Sequence, residues 1–148
     1  MKDLIKKILK EETEDKDLIV PYRLEDRSER YKRIIYKKIQ EYIKNGSYWD
    51  LDLTYTPIES LPSNLKTVYG SLWLEKSKIN KLPDDLTVSR SLDIDNTLID
   101  TIPSGLKVGG SLYVTGTPLL KNYNKFMIQQ MIEDKGGYVM GKIYGNDF

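Results

Sequence analysis

The sequence predicts an α/β solenoid: a stack of short coils with about four parallel strands, an N-terminal helical cap and a C-terminal helix–strand cap. Three observations predict it. The segments LDLTYTPI, LWLEKSKI, LDIDNTLI and LYVTGTPL begin at Leu51, Leu72, Leu92 and Leu112, spaced 21, 20 and 20 residues apart. Within each copy apolar residues alternate with variable ones: Leu51 and Leu53, Leu72 and Leu74, Leu92 and Ile94, Leu112 and Val114. That alternation marks a strand with one buried and one exposed face. Five positions after each first leucine stands a hydroxyl (Thr56, Ser77, Thr97, Thr117), and two further on an aliphatic residue (Ile58, Ile79, Ile99, Leu119).

The return path repeats as well. Leu61-Pro62, Leu82-Pro83 and Ile102-Pro103 share one phase, followed by Leu65, Leu86 and Leu106, then Val68, Val88 and Val108, then Ser71, Ser91 and Ser111. Proline donates no backbone hydrogen bond, so this stretch is expected to be extended and polyproline-like, without room for a full helix. The pattern resembles the leucine-rich repeat family, whose L-x-L-x-x-N-x-L core all four copies match, with Thr or Ser in the Asn place. A hydroxyl reaches less far than an asparagine amide, so tighter coils are expected. Short copies with Leu-Pro at this phase look like bacterial effector repeats and small bacteriophage-encoded repeat proteins. That resemblance implies a viral protein acting as a virion component or as an inhibitor of a host protein. It covers about half of the chain, residues 51–120, and is specific for fold but not for activity.

The chain of 148 residues fits one domain, divided into an arm (1–25), a capping helix (26–50), the repeats (51–120) and a C-terminal cap (121–148). It has no cysteine and no histidine. This excludes a disulfide framework, a thiolate metal site and the chemistry of the cysteine-dependent ubiquitin ligases that carry similar repeats. A net charge of +1 gives no overall field for nucleic acid. No apolar run approaches the ~18 residues of a membrane span, and the start, MKDLIKKILKEE, does not read as a signal peptide. The expected location is the cytoplasm or a virus particle.

Residues 1–12 read as a short amphipathic helix with Leu4, Ile5, Ile8 and Leu9 in one stripe. At this length it must dock, either on its own solenoid or on a partner; the acidic residues that follow disfavour a membrane surface. Residues 13–25 form a charged linker that turns at Pro21. A helix follows from Asp26 to Lys44, capped by Asp26 or Ser28 and stopped at Asn45-Gly46. Tyr31, Ile34, Ile35, Ile39, Tyr42 and Ile43 make its apolar face. It caps the first coil, whose end Tyr48 and Trp49 are expected to cover. At the far end Asn122 to Lys135 is expected to be helical, with Phe126, Met127, Gln130 and Met131 toward the core. After Gly136-Gly137, the segment carrying Tyr138, Met140, Ile143 and Tyr144 is expected to close the sheet edge as a last strand or hairpin.

The outward strand positions form two rows: Asp52, Trp73, Asp93 and Tyr113, then Thr54, Glu75, Asp95 and Thr115. Aromatic residues within a charged rim are the usual composition of a binding hot spot. Trp73, directed outward from mid-strand, is the most informative; its competing reading is a ring folded over its neighbours or covered by the N-terminal segment. These eight residues are the expected contact surface for another protein, either a host target or a virion subunit. No catalytic residue, cofactor or metal is expected. The alternative is a carbohydrate-binding or glycoside-acting protein using Trp73, Glu75, Asp93 and Asp95. It suffers from the shallow face, since enclosure is what raises an acid's pKa. Ca²⁺ binding by the same carboxylates matches no loop spacing. Nucleic-acid binding by the basic 26–44 helix competes with a plain solvated helix face.

Overall fold

A computed structural model describes residues 27–146. The chain divides into two compact units, one ending at Ile34 and one running from Ile35. The proposed arm and its stripe at Leu4, Ile5, Ile8 and Leu9 lie outside the described residues, as does Asp26. Helix α1 (Arg27–Lys44) begins in the first unit, where Lys32 Nζ lies 3.2 Å from Glu29. In the second unit Ile35, Ile39 and Tyr42 are buried at the i, i+4, i+7 spacing of one helical face. Tyr31 and Ile34, assigned to that face from sequence, are exposed. The stop at Asn45-Gly46 is a Schellman turn: Gly46 sits at φ 102° and its N–H donates to Ile43 O, while Ser47 N–H donates to Tyr42 O.

The backbone after this turn closes the first coil. Tyr69 N–H donates to Ser47 O at 2.9 Å, and Ser71 N–H to the Asp50 carboxylate at 2.7 Å. The Tyr42 hydroxyl donates to the carbonyls of Ser47 and Trp49. Burial, and after it the nearby Asp50 charge, pushes the Tyr42 phenol up to about 12. The side chains of Tyr48 and Trp49, expected to cover the coil end, stay exposed. Tyr48 stacks on Tyr69 at 5.5 Å, and Trp49 meets the Tyr42 ring edge-on at 6.2 Å.

The repeats stack as parallel coils, a β-solenoid. Strands β1 (Leu51–Asp52), β3 (Leu72–Trp73), β5 (Leu92–Asp93), β7 (Leu112–Tyr113) and β9 (Ile143–Tyr144) form one sheet in that order. A second sheet, not expected from sequence, contains β2 (Thr67–Val68), β4 (Thr87–Val88), β6 (Lys107–Val108) and β8 (Tyr138–Val139). The expected four strands are therefore nine among the described residues, each of two residues. The valines Val68, Val88 and Val108 are fully buried and in register, which explains their recurrence. No helix interrupts the chain between Leu51 and Thr117, as the Leu-Pro spacing required. The serines form a ladder: Ser71 Oγ accepts from Ser91 N–H, Ser91 Oγ from Ser111 N–H, and Ser111 Oγ from Lys142 N–H.

Each coil leaves the first sheet through a residue at positive φ: Tyr55 (63°), Lys76 (60°), Asn96 (57°) and Gly116 (73°). The buried hydroxyl comes next. Thr56, Thr97 and Thr117 each donate to the carbonyl three residues back, at 2.7–2.8 Å. The row thus seals its own turn. Ser77 Oγ, equally buried, has no partner. We therefore expect Thr97→Ala to cost about 1–2 kcal/mol and Ser77→Ala to be nearly neutral. Urea denaturation of the two variants checks this, and equal losses would contradict it.

The C-terminal cap departs from expectation in part. An additional short helix, α2 (Pro118–Asn122), precedes the expected one, which is α3 (Lys125–Asp134); Thr117 and Asn124 cap them. The buried residues of α3 are Ile128 and Ile132, whereas Phe126, Met127 and Gln130 are exposed and Met131 is half-buried. Ile128 and Ile132 form an i, i+4 pair on the face that packs toward β8. Of the two forms expected for the closing segment, the last strand holds and the hairpin does not: β9 ends the first sheet and β8 the second, both as parallel continuations. The segment after α3 is one more coil.

Candidate functional site

The first sheet carries the candidate site on its outward face. Pairing puts Asp52 beside Trp73, Trp73 beside Asp93, Asp93 beside Tyr113, and Tyr113 beside Tyr144. The expected first row therefore exists, and it is one rung longer than the sequence reading had it. Tyr113 and Tyr144 stack with centroids 5.0 Å apart and planes 17° from parallel. The missed residue had a signal: Gly-Lys-Ile-Tyr at 141–144 repeats Gly-Ser-Leu-Tyr at 110–113 and Gly-Ser-Leu-Trp at 70–73. The interposed helices break the spacing and hide it.

In the first row Asp52 is exposed while Trp73, Asp93 and Tyr113 are half-buried. Thr54, Glu75, Asp95 and Thr115, the second row, are also half-buried. Asp52 and Asp93 are held by short turns, and Asp95 by a bond to the next coil. Asp52 Oδ1 accepts from Thr54 N–H at 3.0 Å, Asp93 Oδ1 from Asp95 N–H at 2.9 Å, and Asp95 Oδ1 from Thr115 N–H at 2.7 Å. The Thr54 bonds keep the Asp52 carboxyl below its usual range. Burial raises Asp93 to about 6, and Glu75 and Asp95 add repulsion. Burial also raises Asp95, with the Glu75 charge acting in the same direction. Beside this face, at the coil corner, Lys76 Nζ reaches the Tyr55 hydroxyl at 3.1 Å.

The raised Asp93 has a stability consequence with a definite sign. Its folded pKa of about 6 exceeds the ordinary 3.8. Ionised Asp93 therefore opposes folding, and this penalty grows as pH rises from about 4 through about 6. Asp93→Asn keeps the acceptor for Asp95 N–H and removes the charge. It is expected to stabilise the protein by about 1 kcal/mol at neutral pH, after allowance for solvent screening, and to leave it unchanged near pH 4. Denaturant midpoints of both proteins at the two pH values test this; a difference independent of pH would contradict it.

Among the described residues no group of three or more Asp or Glu side chains is arranged to hold a metal ion, and no helix is long and apolar enough to cross a membrane. A depression lined by Ser63, Lys66, Lys81, Thr101 and Lys135, among others, opens on the return side and shares no residue with the two rows. Comparison with protein-family models, with curated proteins and with solved structures finds no match to this chain.

Proposed function

We propose that the chain is a non-catalytic binding module that holds another protein through Asp52, Thr54, Trp73, Glu75, Asp93, Asp95, Tyr113 and Thr115, with Tyr144 extending the surface. One observation carries this reading: two half-buried aromatic side chains, Trp73 and Tyr113, flank a carboxylate in register on the outward face of the first sheet. Large rigid rings ringed by polar groups are what interface hot spots are made of. The resemblance of the repeats to short leucine-rich repeat proteins of bacteriophages and bacterial effectors supports a host target or a virion subunit as the partner.

Trp73→Ala is expected to weaken partner capture by about 2 kcal/mol or more, a loss of roughly 30-fold, with little change in the unfolding midpoint. The test uses a photo-crosslinking residue in place of Thr115, and as a control in place of Thr87 on the second sheet. Crosslinks to one protein from the native source at Thr115, absent at Thr87 and lost with Trp73→Ala, support the reading. Equal crosslinking at both sites, or none sensitive to Trp73, overturns it.

The aromatic row of Trp73, Tyr113 and Tyr144 supports a second reading, a carbohydrate surface, because aromatic rings stack on the apolar faces of sugars. A glycan bound only when Trp73 and Tyr113 are both present would favour it. Glycoside cleavage by Glu75, Asp93 and Asp95 is not proposed. Asp93 Oδ1 is committed to Asp95 N–H and Asp95 Oδ1 to Thr115 N–H.

A further inference from the structure

The chemistry of the partner is written in the charge of this face. The two rows hold four carboxylates, Asp52, Glu75, Asp93 and Asp95, and no lysine or arginine. None of the four forms an ion pair among the described residues. Lys38 acts on Asp52 from the edge of the first rung. Asp93 stands at the centre with Trp73 on one neighbouring strand and Tyr113 on the other. Parallel strands are about 4.8 Å apart, so a cation seated over Asp93 is about 4.8 Å from each aromatic rung. That is inside the ~6 Å reach of a cation–π contact on both sides. Tyr144, stacked behind Tyr113, backs one wall of the slot.

We propose that the slot between Trp73 and Tyr113, floored by Asp93, takes an arginine side chain from the partner protein. Arginine fits better than lysine for two reasons. Its planar guanidinium stacks on aromatic faces, and its fork of N–H donors matches a carboxylate. Asp93 Oδ1 already accepts one backbone hydrogen bond, and a carboxylate has acceptor sites left for a guanidinium. The partial burial that disfavours a bare charge at Asp93 becomes an advantage once a cation arrives, because the attraction is screened less there than at the surface. The inference rests on the proposed binding face and adds the class of residue that the face receives.

Arginine binding requires ionised Asp93, so affinity is expected to rise from about pH 5 to about pH 7.5. The ionisable groups facing Asp93 are Glu75 and Lys76 from the preceding coil, Asp95 from its own, and Tyr113 from the next. Lys76, whose ammonium is favoured by the Tyr55 hydroxyl, keeps its charge over this range. Asp93→Asn separates the contribution of Asp93 from those of Glu75 and Asp95.

The experiment titrates the full chain with a short uncharged-linker peptide carrying two arginines, and with its lysine and glutamine versions, followed by nitrogen-15 NMR. The chain has two tryptophans, Trp49 and Trp73, so Trp49 is an internal control for the indole signal. The expected result is movement of the Trp73 indole and of the Asp93 and Tyr113 amides, with Trp49 still. Affinity should fall in the order arginine, lysine, glutamine. Asp93→Asn should weaken the arginine peptide by about tenfold and flatten its pH dependence. Equal affinity of the glutamine peptide, or shifts spread over Asp84, Asp85 and Asp100 as much as over the slot, would overturn the proposal. So would self-association of the protein that Asp93→Asn abolishes, since the occupant would then be a second copy. The crosslinking test keeps the two claims apart. Partner capture lost with Trp73→Ala but untouched by Asp93→Asn sinks the arginine slot and leaves the binding face standing. Capture indifferent to Trp73→Ala removes the face itself.

Discussion

Replacing Leu74 by alanine is expected to destabilise the protein by about 3–5 kcal/mol, a large part of the stability of a domain this size. Leu74 is completely buried in a column with Leu53, Ile94 and Val114, the same position of four successive coils. The cost has two sources. Burial of a leucine side chain contributes about 1.5–3 kcal/mol, and the cavity left by truncation adds to it because coils above and below hold the walls apart. Thr115→Ala, one residue beyond the buried Val114 but facing outward, removes only a hydroxyl bonded to Asp95 and is expected to cost no more than about 1 kcal/mol. Guanidinium denaturation of the two variants checks the contrast. Comparable losses at both sites would mean that the column is not the core.

Gly137→Ala is expected to cost about 2–4 kcal/mol although it adds one methyl group. The residue ends a Schellman turn at the close of α3, where Gly136 N–H donates to Glu133 O and Gly137 N–H to Ile132 O. It then passes directly against the preceding coil, and a Cβ built on it would clash with the Leu106 carbonyl. Backbone cannot yield there without breaking the bond from Tyr138 N–H to Leu106 O, the first link of β8 to its sheet. Gly136→Ala meets a different obstacle, its φ of 85°, with nothing near the added methyl. It is expected to cost about 1–2 kcal/mol. Thermal unfolding of the pair should rank Gly137→Ala as the worse; the opposite order would place the strain in the turn and not in the coil contact.

Much of the solenoid was legible because its cause is periodic. Leucines buried at the same place in each turn must recur at the length of the turn, and the first sheet follows directly from Leu51, Leu72, Leu92 and Leu112. The outward rows were legible for the same reason, since a strand that buries Leu72 and Leu74 must turn Trp73 the other way. What escaped was structure without its own pattern. The second sheet has strands of two residues, too short for an alternation to show, and its valines stood out only as a recurring position. The last coil follows two helices, so Ile143 arrives 31 residues after Leu112 and falls out of step. The positive-φ corner was hidden because glycine fills it only at Gly116; Tyr55 and Lys76 occupy it against their preference. The face of α3 failed on phase. Its apolar residues spread over more than one face, and packing on the last coil decides that Ile128 and Ile132 point inward. The charge environment of Asp93 was out of reach too, since burial by neighbouring coils is a property of the stack.

The claim beneath all of this is that successive coils stand in register and so assemble the outward rows. Paired cysteines test it directly in a chain that has none of its own. Thr54 and Glu75 lie two residues beyond the paired Asp52 and Trp73. Neighbouring parallel strands put their Cα atoms about 4.8 Å apart, within disulfide reach. Asp52 and Glu75 are offset by two residues as well as one strand, about 8 Å, beyond it. Under mild oxidation the double variant Thr54→Cys with Glu75→Cys should form an intramolecular disulfide, and Asp52→Cys with Glu75→Cys should not. Crosslinking of the second pair in preference to the first would contradict the register and with it the binding face.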